Sequence, residues 1–440
     1  MPLQNVNYLT KEELKILEET VLFASEAHTG QFRDTGEAFI HHPIEITQML
    51  AEYKVDLTTL QAAILHDVVE DTSIQIKEIK EKFGQEVAFI VESLTKGKRP
   101  TNISRLEFME SYYTQILLAA ETDIRVAIIK IFDRLHNIQT LHGKPIPKQV
   151  NYANETLTFF APLAKKLGLR RVQKAIEEQA FFYLNPKRYH KTNLLIEQYK
   201  QQLKPLLDKL QSALQPDNVV DFDHTPVYSL YSNLQYESSL EREISLIVRT
   251  ASIEECYTVL GVIHSLWKPI NHLFVDSINQ SASPFEQYLL TTIETEDGSR
   301  CTIKIMTKEQ GQYYHYGILY KLDAYQSLQY DYGTDTNYEE FIAEYFQPTI
   351  TVYNQFGEMV VIPEGATVVD YLFYAFEEKA FYATEIKVNG QHSHVNQPLI
   401  PGDKIVLQFS QESKLFTSNW VHYATTRKAL QYLEVQESSS

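Results

Sequence analysis

The chain has 440 residues, which against a soft prior of about 150 residues per domain predicts two to four folded units. Hydrophobic residues make up 44% and aromatic residues 12%, so the apolar material suffices for several cores and global disorder is excluded. The 40 Lys and Arg face 57 Asp and Glu, a net charge of −17. This balance argues against coating nucleic acid, because such binding depends on many cationic contacts.

Cysteine content and hydropathy bear on location. Only Cys256 and Cys301 are present, so we expect no disulfide scaffold and predict a reducing cytoplasmic location. The N-terminus lacks the basic and apolar blocks of a signal peptide, and no apolar run approaches the ~18 residues needed to span a bilayer. We therefore expect no membrane partner.

Residues 1–195 are predicted to form an all-helical domain, because apolar residues recur there at helical spacing. His42-Pro43 opens one helix, with proline in the first turn, where its missing N–H costs nothing. Residues 58–69 are interpreted as one continuous apolar helix, and residues 124–141 as another.

Residues 196–346 are predicted to form a second, α+β domain, because strand-like and helix-like patterns alternate there. The strands are expected at 244–250, 285–294 and 301–307, and a helix at 254–267.

Residues 347–411 are predicted to form a small β-grasp domain. A hairpin is expected around Gln355-Phe356-Gly357, followed by a helix that Thr367 and Asp370 cap and that runs through Lys379. Asn389-Gly390 is typical of a type I′ turn between the later strands. The remaining residues, 412–440, are predicted to be a C-terminal helical tail.

Four side chains of the helical block predict a metal site: His42, His66, Asp67 and Asp133. Imidazole and carboxylate ligands suit Mn, Fe or Zn and can leave coordination positions open for water or phosphate oxygens. On one helix, adjacent His66 and Asp67 would lie about 100° apart and could reach a shared ion. The alternative is a chance His-Asp pair, but the apolar surroundings of these charges favour a metal site.

Glu70 and Asp71 follow the His66-Asp67 pair by one helical turn. Acids this crowded would repel one another unless a cation lay among them. A water that attacks phosphorus needs a carboxylate to take its proton, and Glu70 is the better placed of the two, with Asp71 assisting. The alternative is a solvated acidic helix end.

Basic residues collect along the same helices although the whole chain is acidic. Arg33, Arg134, Lys144 and Lys148 would each alone be an ordinary surface charge. As a set they predict a rim that attracts phosphate, and hence a small, multiply phosphorylated substrate.

Long motifs in this order make the chain resemble the RelA/SpoT-homologue family of alarmone synthetase/hydrolases. The motifs are Gly30-Gln31-Phe32-Arg33-Asp34-Thr35-Gly36-Glu37 with His42-Pro43, Ala63-Ile64-Leu65-His66-Asp67-Val68-Val69-Glu70-Asp71-Thr72, Asp133-Arg134-Leu135-His136-Asn137, and Glu155-Thr156 with Phe160-Ala161-Pro162-Leu163-Ala164. The resemblance implies an HD hydrolase domain, a synthetase-like domain and a TGS domain. It does not reach the family's later helical, zinc-finger and ACT modules, which we do not expect in this chain.

The resemblance also implies roles for individual residues. His42, His66, Asp67 and Asp133 would bind Mn²⁺, and Glu70 and Asp71 would activate the attacking water. The nucleotide would be held by Arg33, Thr35, Asn137 and Thr140, together with the basic rim. The implied reaction releases the 3′-pyrophosphate of (p)ppGpp to give GDP or GTP. One departure concerns recognition of the guanine base of the nucleotide. The family commonly has a basic residue where this chain has Asp34.

The middle domain keeps family landmarks but departs from the family at its catalytic positions. Asp223-His224-Thr225 stands where the family carries an Arg-Pro-Lys run, and strand 244–249 lacks the metal-binding acid. Strand 302–307 lacks the catalytic glutamate. Because pyrophosphoryl transfer depends on metal and cationic clamps, we predict a degenerate pseudo-synthetase without synthetase activity.

Two alternatives remain open at this stage. The enzyme could hydrolyse a related nucleotide, (p)ppApp or the 2′-phosphate of NADPH, which side-by-side turnover would test. In the second alternative, the chain is a regulatory binding module that contacts a protein partner through its pseudo-synthetase and TGS domains. A pull-down with residues 200–440 would test it. We expect no nucleic-acid partner in the core function.

Overall fold

A computed structural model describes residues 3–433 of the chain, with the exception of 104, 236–239, 279–282, 296–297, 325–348, 358, 411–417, 427–428 and 431. The chain divides into two compact units, Met1–Ile342 and Ala343–Ser440. No helix among the described residues combines the length and apolar character that crossing a membrane requires.

The first unit begins with the predicted helical block. Its helices are α1 (Lys11–Ala27), α2 (His41–Ala51), α3 (Leu57–Leu65), α4 (Val68–Asp71), α5 (Ile76–Phe83), α6 (Gln85–Leu94), α7 (Arg105–Thr122), α8 (Arg125–Gln139), α9 (Ile146–Glu155), α10 (Ala161–Lys166), α11 (Arg170–Leu184) and α12 (Pro186–Ala213). A π-helical turn, Thr156–Phe160, joins α9 to α10.

The expectation of one continuous helix over residues 58–69 is wrong. Helix α3 ends at Leu65, and α4 starts only at Val68. The physical reason lies in the His66 ring, whose Nδ1 lies 2.8 Å from the carbonyl of Ala63. A continuous helix would use that carbonyl to accept the N–H of Asp67. The interruption places His66 and Asp67 at a turn between two helices.

Helix α8 runs through the middle of the block. Ile128, Ile129, Ile131 and Phe132 are all at most 1% exposed, so the helix is enclosed on several faces rather than along one stripe. Asp133 follows directly and is itself buried. A carboxylate in such surroundings is costly unless a charge or a metal compensates it.

The first unit continues into a mixed sheet. Its strands are β1 (Val219–His224), β2 (Ile244–Thr250), β3 (Lys268–Pro269), β4 (Val275–Asp276), β5 (Leu289–Glu294) and β6 (Arg300–Thr307), and its helices are α13 (Val227–Gln235), α14 (Leu240–Glu243), α15 (Ile253–Leu266) and α16 (Lys308–Tyr316). The strand order is β1-β2-β6-β5-β3, with β4 also paired to β5. Among the described strands of this sheet, only the β2–β6 pair is parallel.

The predicted elements of this sheet are confirmed in outline. The strand at 244–250 has the predicted bounds, whereas β5 starts at Leu289 because a 3₁₀ turn, Pro284–Glu286, occupies the expected start. Strand β1 lies outside the predicted strands.

The second unit contains β7 (Thr349–Tyr353) paired antiparallel with β8 (Met359–Pro363), and helix α17 (Val368–Phe376) follows. A second sheet has the order β10 (Gln391–His392), β9 (Ala383–Val388), β11 (Ile405–Phe409).

The predicted cap of α17 is confirmed, because the N–H of Thr367 lies 2.7 Å from Oδ2 of Asp370. The helix ends at Phe376 rather than at Lys379 and continues as a 3₁₀ helix, Glu377–Tyr382. The β-grasp assignment stays a prediction. Most of the predicted helical tail lies outside the described residues, and its described part includes a 3₁₀ helix, Ser418–His422.

Candidate active site

A cavity of about 530 Å³ opens in the helical block. Its walls come from the loop at 32–39 and from α2, α4, α7, α8 and α9. Most of the residues predicted for the site line it, and they come from distant stretches of the chain that the helical packing brings together.

Three of the four predicted metal ligands, His42, Asp67 and Asp133, line this cavity, and the fourth, His66, is buried in contact with Asp67. His42, His66 and Asp133 each offer a ligand atom within 4.8 Å of the others. The Nε2 atom of His42 lies 3.2 Å from Oδ1 of Asp133 and 3.6 Å from Oδ2 of Asp67. The Nε2 atom of His66 lies 3.1 Å from Oδ2 of Asp67 and 3.9 Å from Oδ1 of Asp133.

The donor set fits a divalent metal. The Nε2 atom of His66 is buried and makes no well-formed hydrogen bond, and the nearest group is the carboxylate of Asp67 at 3.1 Å. Two imidazoles and two carboxylates suit a borderline cation and leave coordination positions for oxygens of water or substrate. The four side chains therefore form a site that could hold a divalent metal.

The charges around His66 link metal binding to pH. Burial opposes its protonation, but the carboxylates of Asp67 and Asp133 outweigh burial and raise the pKa of His66 to about 9. The two acids therefore favour the protonated ring when no metal is bound. A metal must displace this proton, so metal binding would release protons and strengthen as the pH rises.

Asp133 is held by neighbours on its own helix. The Lys130 ammonium lies 2.8 Å from Oδ2, and Asn137 donates from Nδ2 to Oδ1. Burial opposes ionisation, but Lys130 and His42 outweigh it and hold the pKa of Asp133 well below its usual range. Such outer contacts orient a ligating carboxylate.

Glu70 and Asp71 line the same cavity, on the short helix that follows the two ligands. The Oε2 atom of Glu70 accepts the backbone N–H of Lys96 at 2.9 Å, which fixes the carboxylate. Burial, with the charge of Asp67 as a further cause, raises the pKa of both acids. A carboxylate with a raised pKa is a stronger base for removing a proton from water.

Three of the predicted nucleotide-binding residues, Arg33, Asn137 and Thr140, form a linked group in the wall of the same cavity. The guanidinium of Arg33 donates from Nη2 to Oδ1 of Asn137 at 2.6 Å, and Oγ1 of Thr140 lies 3.5 Å from the same nitrogen. Its Nη1 lies 3.3 Å from Nδ1 of His136. Burial and the nearby His42 and Arg33 lower the pKa of His136 to about 3, so this ring is neutral.

The predicted basic rim is only partly assembled. Lys144 and Thr35 line the mouth of the cavity, where Lys144 lies 3.8 Å from the exposed carboxylate of Asp34. Lys148 is exposed on α9 and is not among the residues that line the cavity. Arg134 lines the cavity but is 5% exposed.

The guanidinium of Arg134 is largely occupied by protein contacts. It pairs with Glu155 at 3.1 Å, donates to the hydroxyl of Tyr113 at 3.0 Å and lies over the rings of Tyr152 and Phe160. Arg134 is therefore a buried cation in the cavity wall, because α8 carries its side chain into the interior, and its contact with substrate stays a prediction.

Sequence reasoning missed several residues of the site. Lys130 and His136 lie three residues either side of Asp133 on α8, a spacing that places them beside the ligand and could have identified them. Lys96 lines the cavity from the end of α6, and no local pattern marked it because only tertiary packing brings it there.

Comparisons with known proteins agree with this site. The family model described as HD domain matches residues 20–170, which include all four candidate ligands. A guanosine-3′,5′-bis(diphosphate) 3′-pyrophosphohydrolase of Aquifex aeolicus is 30% identical over 94% of this chain and 64% of the relative. The bifunctional (p)ppGpp synthase/hydrolase SpoT of Escherichia coli is 28% identical over 96% of this chain and 64% of the relative.

A solved structure, described as a metazoan orthologue of SpoT that hydrolyses ppGpp, matches 39% of this chain and 95% of its own, at 24% identity. Its TM-score of 0.30 is too low to carry a structural argument. The present chain spans about 64% of the length of the two curated relatives that it matches. Along nearly its whole length the chain is therefore similar to guanosine-3′,5′-bis(diphosphate) 3′-pyrophosphohydrolases and to SpoT, in line with its resemblance to the RelA/SpoT-homologue family.

Proposed function

We propose that this protein is a manganese-dependent hydrolase that removes the 3′-pyrophosphate of (p)ppGpp, giving GDP or GTP and pyrophosphate, without synthetase activity. The observation that carries the proposal is the convergence of His42, Asp67 and Asp133 in one cavity, with Glu70 in its wall and His66 in contact with Asp67. A scaffold has no physical need to crowd buried imidazoles and carboxylates in this way.

In the proposed mechanism, the ligands and the acids share the work. A divalent cation held by the four ligands would supply Lewis-acid stabilisation of phosphoryl oxygens and make a water more acidic. Glu70, fixed by the N–H of Lys96, would take the proton of the attacking water, and Asp71 would orient that water. Arg33 and Lys144 would attract the substrate's phosphates from the mouth of the cavity.

Manganese is proposed over other divalent ions on two grounds. The mixed imidazole and carboxylate donors are borderline in softness and do not select zinc as thiolates would. The family resemblance points to the same ion. Activity restored to metal-free protein by Mn²⁺, and not by Mg²⁺ or Ca²⁺, would support this choice.

The test of the proposed function is a turnover comparison among nucleotides. Purified protein with Mn²⁺ is incubated separately with ppGpp, ppApp and NADPH, and pyrophosphate or phosphate release is measured for each. We expect pyrophosphate from ppGpp at the highest rate. Preference for ppApp or NADPH would instead favour the alternative that the exposed acid Asp34 at the mouth leaves open.

The proposed lack of synthetase activity is supported by the contacts around Asp223. This buried carboxylate lies 2.8 Å from Nζ of Lys304, accepts the hydroxyl of Tyr314 at 2.6 Å and faces Arg170 at 3.4 Å. A pyrophosphoryl-transfer site needs cations free to clamp phosphates. Here the carboxylate already engages Lys304 and Arg170, and a carboxylate at their centre would repel phosphate.

We expect no synthesis of (p)ppGpp from ATP with GDP or GTP. The assay is best run with the Glu70→Gln variant, so that hydrolysis cannot remove a product as it forms. An established alarmone synthetase under the same conditions serves as the positive control. Product that accumulates with time and depends on both nucleotides would contradict the proposal.

A further inference from the structure

We infer that His136 is a positioning residue that holds the proton of His42 on Nδ1 and thereby keeps Nε2 available to the metal. This inference rests on the proposed function, since it assigns a role in forming the same metal site. No motif assigned His136 a role, and the residue lies in α8 between Asp133 and Thr140.

The geometry is that of two facing imidazoles in the protein interior. His42 is 3% exposed and His136 is 8% exposed. Their Nδ1 atoms lie 2.8 Å apart, and their ring centroids 4.8 Å apart. At this distance one of the two nitrogens must carry a hydrogen and the other must accept it.

Arg33 decides the direction of this hydrogen bond. Its Nη1 lies 3.3 Å from the same Nδ1 of His136, and a guanidinium can only donate. The Nδ1 atom of His136 is therefore the acceptor, because a hydrogen there would oppose that of Arg33, and its single lone pair is shared between a short contact to His42 at 2.8 Å and a longer one to Arg33 at 3.3 Å. The proton of the shared bond must then belong to Nδ1 of His42.

The consequence for the metal site follows from the chemistry of imidazole. A neutral ring with its hydrogen on Nδ1 has its lone pair on Nε2. In His42 that atom lies 3.2 Å from Oδ1 of Asp133 and 3.6 Å from Oδ2 of Asp67, within the ligand cluster. The ring is thus set in the tautomer that a metal ligand needs.

His66, the second imidazole of the predicted ligand set, can also carry a hydrogen on Nδ1, but it donates that hydrogen to a different kind of acceptor. The Nδ1 atom of His66 lies 2.8 Å from the carbonyl of Ala63, and a carbonyl can only accept. His66 therefore depends on the backbone for its orientation, whereas His42 depends on a side chain. Only the second kind of support can be removed by substitution.

The contacts of His136 also join the metal ligands to the predicted nucleotide-binding group. Arg33 donates to Asn137 as well as to His136, and Asn137 donates to Asp133. The chain of contacts thus runs from His42 to Asp133 through residues outside the metal cluster. Support of this kind around metal ligands is typically worth 10- to 100-fold in affinity.

The experiment compares Mn²⁺ affinity, read by electron paramagnetic resonance of free Mn²⁺, in the unaltered protein, His136→Leu and His136→Asn. Leucine removes the acceptor, whereas the Oδ1 atom of asparagine can accept near the position of Nδ1. We expect about 10- to 100-fold weaker binding for His136→Leu and recovery of most of that loss in His136→Asn. The matched control is His142→Ala, because His142 is an exposed histidine in the short 3₁₀ helix Leu141–Gly143 that follows α8. This variant should bind Mn²⁺ as the unaltered protein does.

Equal Mn²⁺ affinity in the unaltered protein and His136→Leu would overturn this inference alone. Absence of Mn²⁺ binding by the unaltered protein would overturn the proposed function as well. Should His136→Leu fail to fold, ¹⁵N NMR of the unaltered protein loaded with Zn²⁺ decides the question, with the His42 signals assigned by their loss in His42→Gln. Hydrogen on Nδ1 of His42 supports the inference, and hydrogen on Nε2 overturns it.

Discussion

Replacement of Asp67 by alanine is expected to abolish turnover and to weaken Mn²⁺ binding by more than about 100-fold, beyond the usual cost of losing an outer-shell contact. The carboxylate lies 3.1 Å from Nε2 of His66 and 3.6 Å from Nε2 of His42. Its loss would therefore remove one of the two carboxylates of the proposed ligand set. Metal affinity by paramagnetic resonance and pyrophosphate release are the two measurements.

Asp67 is a cleaner target than Asp133. The carboxylate of Asp133 also pairs with Lys130, and its removal would leave a largely buried cation uncompensated, at a cost of several kcal/mol in stability. The Asp67 side chain is 20% exposed and contacts the metal-binding imidazoles. Because His66 can lose its proton when the neighbouring acid is removed, whereas Lys130 keeps its charge, we expect Asp67→Ala to lower the unfolding temperature less than Asp133→Ala does.

The matched control for Asp67→Ala is Asp208→Ala. That acid is 62% exposed on α12 and forms a 4.0 Å ion pair with Lys204, so we expect unchanged activity and metal affinity. Unchanged Mn²⁺ affinity in Asp67→Ala would remove this residue from the ligand set.

Replacement of Glu70 by glutamine is expected to retain the metal and to lower turnover by about 10²- to 10⁴-fold, the usual contribution of a general base. Glutamine has the same shape, and its carbonyl oxygen can still accept the N–H of Lys96. What it lacks is the ability to take a proton. Mn²⁺ affinity close to that of the unaltered protein, together with the slow rate, would separate this role from metal binding.

The pH profile gives the same residue a second test. Burial raises the pKa of Glu70, and a base acts only when deprotonated, so the rate should fall as the pH drops through a value above the ordinary glutamate range. With saturating Mn²⁺, the glutamine variant should lose this acid limb. A variant with the normal rate, or with the acid limb intact, would show that another group accepts the proton.

The residues of the site were predictable where a local motif carried them. His66, Asp67, Glu70 and Asp71 lie within six positions, and polar side chains next to an apolar helix are conspicuous in a sequence. Their convergence with His42 and Asp133 followed from the expected helical packing and from the family resemblance. Their roles as ligands and catalytic acids remain the proposal.

The sequence could not predict the orientation of individual side chains. The break between α3 and α4 depends on the contact of the His66 ring with Ala63, which no periodicity encodes. Arg134 was predicted as part of a basic rim, but its pairing with Glu155 depends on how α8 and α9 pack. Tertiary contacts of this kind decide which cations remain available to a substrate.

The fold was predictable to the level of its helical block and mixed sheet. The strand at 244–250 has the predicted bounds because its apolar run is short and β-branched. The role of the sheet in the protein, including any regulatory partner that it contacts together with the second unit, remains a prediction.

The most direct test of the whole account is anomalous diffraction from crystals grown with Mn²⁺, recorded at the manganese absorption edge. The account predicts one strong peak within coordinating distance of His42, His66, Asp67 and Asp133, with Glu70 close to it but outside the ligand set. A cavity without such a peak in crystals that contain manganese, or a peak at other residues, would contradict it.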